Sequence, residues 1–179
     1  MEKRDGASAV KNMVYTALFA AVICVVAPFS LSIGPIPVSL ATFAVYLAAG
    51  TLNCKSCVLS VVLYVTLGAV GLPVFTNFEG GFHKIAGVTG GFIVGYIPCA
   101  AAAGIITGAF GKKLRSYVFG MAAGTVLLYA FGTAWFIIQT KTSFRASLLL
   151  CVLPFLPGDA VKIAAASVIA PRLQRAIRY

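Results

Sequence analysis

The chain has 179 residues, of which 60% are hydrophobic and only 10% charged, with a mean hydropathy of +0.99. A soluble globular domain carries about a quarter of its residues charged, so this composition excludes that class and describes an integral membrane protein. A spanning helix takes roughly 20 apolar residues, so the length supplies about six spans in a single all-α membrane domain over residues 1–179.

Clusters of charge, proline and glycine divide the apolar sequence into predicted spans near 13–33, 38–54, 57–73, 90–110, 116–138 and 147–170. The first follows Glu2, Lys3, Arg4 and Asp5 and leads into further membrane segments without an A-x-A pattern, which predicts an uncleaved span. Ala17 and Ala21 place small residues on one face of it, suited either to packing inside the bundle or to a contact with another subunit. The second and third spans are short and barely separated, which implies tilt or a partly re-entrant segment.

Cys54 and Cys57 form a C-x-x-C, written CKSC, between those two spans. Such a pair can act as a thiol redox couple. A zinc site would need two more ligands, and the predicted inner face keeps thiols reduced, so neither a metal nor a redox role is expected. Cys24, Cys99 and Cys151 fall within spans as small apolar fillers.

The longest non-helical stretch is residues 73–91, PVFTNFEGGFHKIAGVTGG, on the predicted outer side. Phe75, Phe78 and Phe82 alternate there with glycines and with Asn77, Glu79, His83 and Lys84. It reads either as a surface connector or as a lid folded over a cavity, and the buried-aromatic pattern favours the lid. In the fourth and fifth spans, Ala100, Gly104 and Gly108, then Gly120 and Gly124, recur at helical spacing and allow close backbone approach.

With the N-terminus inside, ten cations (Lys3, Arg4, Lys11, Lys55, Lys112, Lys113, Arg115, Arg172, Arg175 and Arg178) fall on one side, against Lys84, Lys141 and Arg145 on the other. This bias obeys the positive-inside rule with both termini cytoplasmic. The formal net charge of +10 therefore has a topological origin, and no nucleic-acid partner is implied. No H-E-x-x-H, G-x-S-x-G or G-x-x-x-x-G-K-[ST] occurs, so neither enzymatic chemistry nor unaided ATP hydrolysis is expected.

Residues 153–166, LPFLPGDAVKIAAA, set Asp159 and Lys162 in the last span. Each such group costs roughly 2.5–3.5 kcal/mol at a helix centre, so both must face the bundle interior or water. At i,i+3 they share a face and can pair. Pro154, Pro157 and Gly158 should kink the span, leaving Asp159 at the start of a half-helix where its carboxylate could cap free N–H groups. The pair serves either as an internal brace for the kink or as a site for a polar ligand.

Three stretches together carry a family resemblance: residues 33–50 (IGPIPVSLATFAVYLAAG), residues 64–96 (YVTLGAVGLPVFTNFEGGFHKIAGVTGGFIVGY) and PGDAVK at 157–162. In order and spacing the chain resembles BioY, the biotin-binding S component of energy-coupling factor (ECF) transporters. It departs from the family pattern at Val88, where proline is common, and at Ala41, where many members carry glutamine.

The resemblance implies a six-helix membrane protein in the cell membrane that captures biotin from outside, needs no cofactor, and joins a transmembrane coupling subunit and two ATPases. It implies Ala17 and Ala21 as the docking face for the coupling subunit. It implies Asp159 as acceptor from the ureido nitrogens and Lys162 as donor to the ligand, with Asn77 a further polar contact. Phe75 and Tyr96 would give apolar cover, and Lys84 is a candidate for the valerate carboxylate. An S component for another vitamin is the alternative within transport, and a membrane thiol oxidoreductase using Cys54 and Cys57 the alternative from another class.

Overall fold

A computed structural model describes residues 2–31, 36–111 and 113–178. Residues 33–35 of the quoted segment, with the predicted end of the first span, and Lys112 lie outside the described residues, as do the side chains of Lys3, Arg4 and Arg178.

Helix α1 spans Glu2–Val26 and stops short of Pro28, because the residue before a proline is pushed out of the helical region. The apolar sequence beyond it, predicted to continue the span to residue 33, instead enters an antiparallel hairpin, β1 (Ser30–Leu31) paired with β2 (Val38–Ser39). Helix α2 (Ala41–Thr51) and helix α3 (Cys54–Val70) follow, separated by a two-residue turn. Asn53 makes that turn work: its side chain accepts from the Ser56 N–H at 2.8 Å and caps α3. At the far end of α3, Gly71 takes φ 116°, a left-handed C-cap that suits glycine.

The connection after α3 is less irregular than its glycines suggest. It contains a 3-10 turn at Thr76–Phe78 and a short helix α4 (Phe82–Ala86) before α5 (Gly90–Ala109). Helix α6 runs Leu114–Thr140, and the last segment is broken into α7 (Phe144–Cys151) and α8 (Leu156–Arg178) with a 48° bend between them. The kink expected from Pro154, Pro157 and Gly158 is therefore present. Pro157 sits in the first turn of α8, where a missing N–H costs nothing.

Helices α1 (from Ala9), α5 and α6 are each long and apolar enough to cross a membrane, and so is the bent α7–α8 pair taken as one broken span. The predicted second and third spans are shorter helices of 11 and 17 residues. Tyr46, Tyr64, Tyr117 and Met121 fill the centre with Ile23, Val45 and Val61, all essentially without exposure.

The small-residue stripes of α5 and α6 are internal except at Gly108, which is exposed. A Cβ placed on Gly124 would lie 2.7 Å from the Cys99 carbonyl oxygen, and one on Gly120 would lie 3.0 Å from that of Ala103. Gly104 similarly faces the Cys54 backbone. Backbones meet where lipid offers no hydrophobic incentive for association, so dispersion across this antiparallel seam has to hold it. The face of α1 is different: Thr16, Phe19, Ala20 and Ile23 are buried, while Ala17 and Ala21 point away from the bundle and are exposed.

Candidate functional site: a buried Asp–Lys pair beneath a strapped loop

Asp159 lies in the first turn of α8 and is 3% exposed. The turns that lead into α8 already use the local backbone, with Leu156 N–H bonded to the Val152 oxygen and Asp159 N–H to the Phe155 oxygen. Few free N–H groups remain to be capped, and the expectation that the carboxylate acts as a cap is replaced by another arrangement. Its described bonds come from side chains: Tyr129 donates to Oδ2 at 2.6 Å, Thr42 to Oδ1 at 3.2 Å, and Lys162 to Oδ1 at 3.0 Å.

Lys162 makes the i,i+3 ion pair and extends it. Its ammonium also donates to the Ser39 carbonyl at 2.7 Å and to the Thr42 hydroxyl at 2.9 Å. Three elements are thus drawn together, because Ser39 ends β2, Thr42 opens α2 and Tyr129 stands on α6. An uncompensated charge here would be costly, and each is compensated twice or more. A carboxylate offers about four lone-pair sites, so three donors leave room for one more.

The pair floors a narrow cavity with about 40 Å³ of free room, walled by Phe92, Tyr96, Tyr129 and Phe155. Phe92 and Phe155 stack at 6.1 Å between centroids, and Tyr129 leans on Phe155 at 6.5 Å. A second, wider cavity of about 370 Å³ lies beside it and shares Pro37, Thr76, Thr89 and Ile93 with it. The wider one is lined by the loop residues Phe75, Asn77, Glu79, His83 and Lys84.

The sequence-predicted site residues divide between these two chambers. Asp159, Lys162 and Tyr96 line the inner one; Asn77, Phe75 and Lys84 line the outer one. Phe75 is buried edge-on against Tyr64 and over Gly68, so it anchors the loop as well as facing the cavity. Lys84 is ion-paired with Glu79 on the same loop.

Asn77 straps the loop to the hairpin. Its N–H donates to the Pro28 oxygen at 3.0 Å and its side-chain oxygen accepts from the Ser30 hydroxyl at 2.7 Å, while Phe78 meets Phe29 edge-on at 5.4 Å. Asn77 and Phe78 both hold positive φ, 62° and 58°. On the other flank, Trp135 and Gln139 of α6 donate to the carbonyls of Gly87 and Ala86. The loop lines the wider cavity and is pinned on two sides.

Sequence reasoning missed Ser39, Thr42, Tyr129, Phe92 and Phe155. The two hydroxyl residues and the tyrosine carry no signal of their own, since such groups are ordinary in spans. Phe155 sits inside the quoted PGDAVK neighbourhood, four residues before the carboxylate. Cys54 and Cys57 are unpaired, and Cys57 is fully buried, an arrangement that gives no support to a thiol couple.

The model of the BioY family matches residues 1–179. The chain is 40% identical to the probable biotin transporter BioY of Pyrococcus horikoshii, over 92% of this chain and 96% of that protein. It is 34% identical to the biotin transporter BioY of Thermotoga maritima, again over 92% and 96%. Among solved structures, the S-component for biotin from an ECF-type ABC transporter superposes with a TM-score of 0.86, covering 94% of this chain and 93% of that one at 24% identity, which shows a shared fold.

Proposed function

The chain belongs to the BioY family, and from that membership we propose that it is the biotin-capturing S component of an ECF transporter, binding its ligand without altering it. It spans the cell membrane six times with both termini inside, the second and third passes being the short helices α2 and α3. Its partners are a transmembrane coupling subunit and two ATPases, which provide the phosphate-binding motifs this sequence lacks.

The observation that carries the reading is the Asp159 carboxylate, buried at the base of an aromatic-walled cavity with an acceptor site to spare. Biotin's ureido ring has two N–H donors and one carbonyl. An N–H reaches the free position on Asp159, and Lys162, whose three N–H donors are all engaged, gives up its bond to the Thr42 hydroxyl to donate to the ligand from the same floor. Phe92, Tyr96 and Phe155 cover the sulfur-containing ring. The valerate extends into the outer chamber toward Asn77 and Lys84, the latter exchanging Glu79 for the ligand carboxylate.

The narrow inner chamber holds little more than a water or two. Entry of a bicyclic ring therefore requires the lid to lift away from the hairpin and reclose, a gating step of the kind loops with glycine hinges perform.

Isothermal titration of the purified protein in detergent tests the substrate. Saturable one-to-one binding of biotin, weakened for biotin methyl ester, is expected. Heat with thiamine or riboflavin but none with biotin would transfer the protein to another vitamin. Replacing Cys54 and Cys57 together by serine should leave binding and uptake intact, and loss of both would favour a thiol mechanism.

A further inference from the structure

The two chambers each hold one ammonium and one carboxylate. In the inner one Lys162 and Asp159 pair and floor the site. In the outer one Lys84 and Glu79 pair on the loop, their side chains 31% and 45% exposed. The carboxylate of an acid tail calls for the ammonium alone, and a like charge beside it works against that tail.

The backbone that carries Glu79 is not free to move aside. Its carbonyl accepts from the Phe75 N–H at 2.8 Å, and Phe75 is 2% exposed against Tyr64. Gly80 follows so close to the Leu72 carbonyl that a Cβ on it would lie 2.1 Å from the oxygen. The Gly81 N–H then donates to the Gly68 carbonyl at 2.7 Å, and the Lys84 N–H to the Gly81 carbonyl at 3.1 Å. Both charges thus stand on a turn fixed to the end of α3, and a ligand that draws Lys84 away leaves the Glu79 carboxylate beside it.

The outer chamber is also larger than a short acid tail requires. Its free volume is about 370 Å³. Even if each heavy atom of a valerate takes the volume of a liquid water, the tail fills at most roughly 200 Å³. Room remains past the end of the acid, on the side where Glu79, Lys84 and His83 line the wall.

We infer that Glu79 is a specificity-determining residue, through which the outer chamber takes biotin joined by an amide to an amino acid. Lys84 holds the α-carboxylate of that tail and Glu79 its α-ammonium. The inference rests on the biotin reading above and extends it to a class of ligand. Amide formation removes the valerate charge, and the zwitterionic end then gives each member of the ion pair a partner of opposite sign. Free biotin instead displaces Glu79 from Lys84 and leaves it unpaired.

Competition against tritiated biotin tests this on the full chain in detergent, at pH 8 to keep imidazole titration out of the comparison. The probes are Nε-biotinyl-lysine and the uncharged N-butyl biotinamide. Biotinyl-lysine should displace the label, and should do so better than N-butyl biotinamide. Half-exposed charge pairs are individually weak, so Glu79→Gln should tighten biotin about threefold and weaken biotinyl-lysine about threefold, a swing of roughly tenfold in their ratio. Lys84→Gln should weaken both.

Biotin that binds while biotinyl-lysine fails to displace it overturns the inference and leaves the biotin reading in place. Displacement no better than that of N-butyl biotinamide overturns it too, as does a Glu79→Gln variant in which both affinities move the same way. A chain that binds no biotin overturns the reading and this inference together.

Discussion

The Tyr129 hydroxyl donates to Oδ2 of Asp159 across 2.6 Å and ties α6 to α8 at the floor of the inner chamber. Replacing it by phenylalanine takes one donor from a buried carboxylate, a change that costs about 1–3 kcal/mol. Tyr129→Phe is expected to lower the thermal unfolding temperature and to weaken biotin binding about tenfold, where tenfold corresponds to ~1.4 kcal/mol. Unaltered affinity by titration would remove Tyr129 from the site.

Asp159 and Lys162 serve either as a brace or as a receptor, and a double-mutant cycle separates the two. Lys162→Met alone leaves a buried carboxylate without its cation, which costs about 3–5 kcal/mol of stability. Asp159→Asn combined with Lys162→Met removes both charges and should recover much of that loss. Biotin binding should stay abolished in the double variant, because neither acceptor nor ammonium remains. Recovery of affinity along with stability would reduce the pair to a brace.

Asn77 occupies a left-handed backbone position that asparagine tolerates better than most residues. Asn77→Ala loses the bond to Ser30 and raises the cost of that conformation by an amount on the order of 1 kcal/mol. The lid should open more readily, so labelled biotin is expected to wash out several-fold faster, with a smaller effect on the association rate. Equal dissociation rates would show that the strap does not hold the ligand.

Ala17 and Ala21 are exposed on α1. Leucine at both positions should leave biotin titration of the isolated protein unchanged while abolishing co-purification with the coupling subunit and uptake by cells. Retained assembly would assign the docking face elsewhere.

Gly124 packs against the Cys99 carbonyl, whereas a Cβ on Gly108 meets no atom within 4 Å. Gly124→Ala overpacks the α5–α6 seam and should destabilise by about 1–3 kcal/mol. Gly108→Ala should be neutral or mildly stabilising. A matched pair of melting curves checks both.

Much of the membrane architecture was legible because the cost of burying charge leaves a clear record in sequence. The breaks near 54, 111 and 141 fall where polar residues cluster, and the same cost singled out Asp159 and Lys162. The end of α1 was misplaced because PFSLSIGPIP is apolar enough to pass for helix, and only pairing with β2 reveals a hairpin. Ser39, Thr42 and Tyr129 stayed hidden for a different reason: a hydroxyl in a span is cheap, and its partner lies about 30 to 120 residues away. The capping role expected of Asp159 failed because the turns at 152–156 had already consumed the backbone donors it would have met.

Helix α2 is short enough to matter for permeation. Thr42, bonded to Asp159, and Thr51, at the far end of the helix, are nine positions apart on it, or roughly 14 Å at 1.5 Å per residue. The hydrocarbon layer is about 30 Å thick. The stretch of α2 between them is filled by the buried side chains of Ala44, Val45, Tyr46 and Ala48 and is about half as long as that layer is thick. A ligand held at Asp159, as proposed, would be divided from the far end of α2 by a short plug centred on Tyr46.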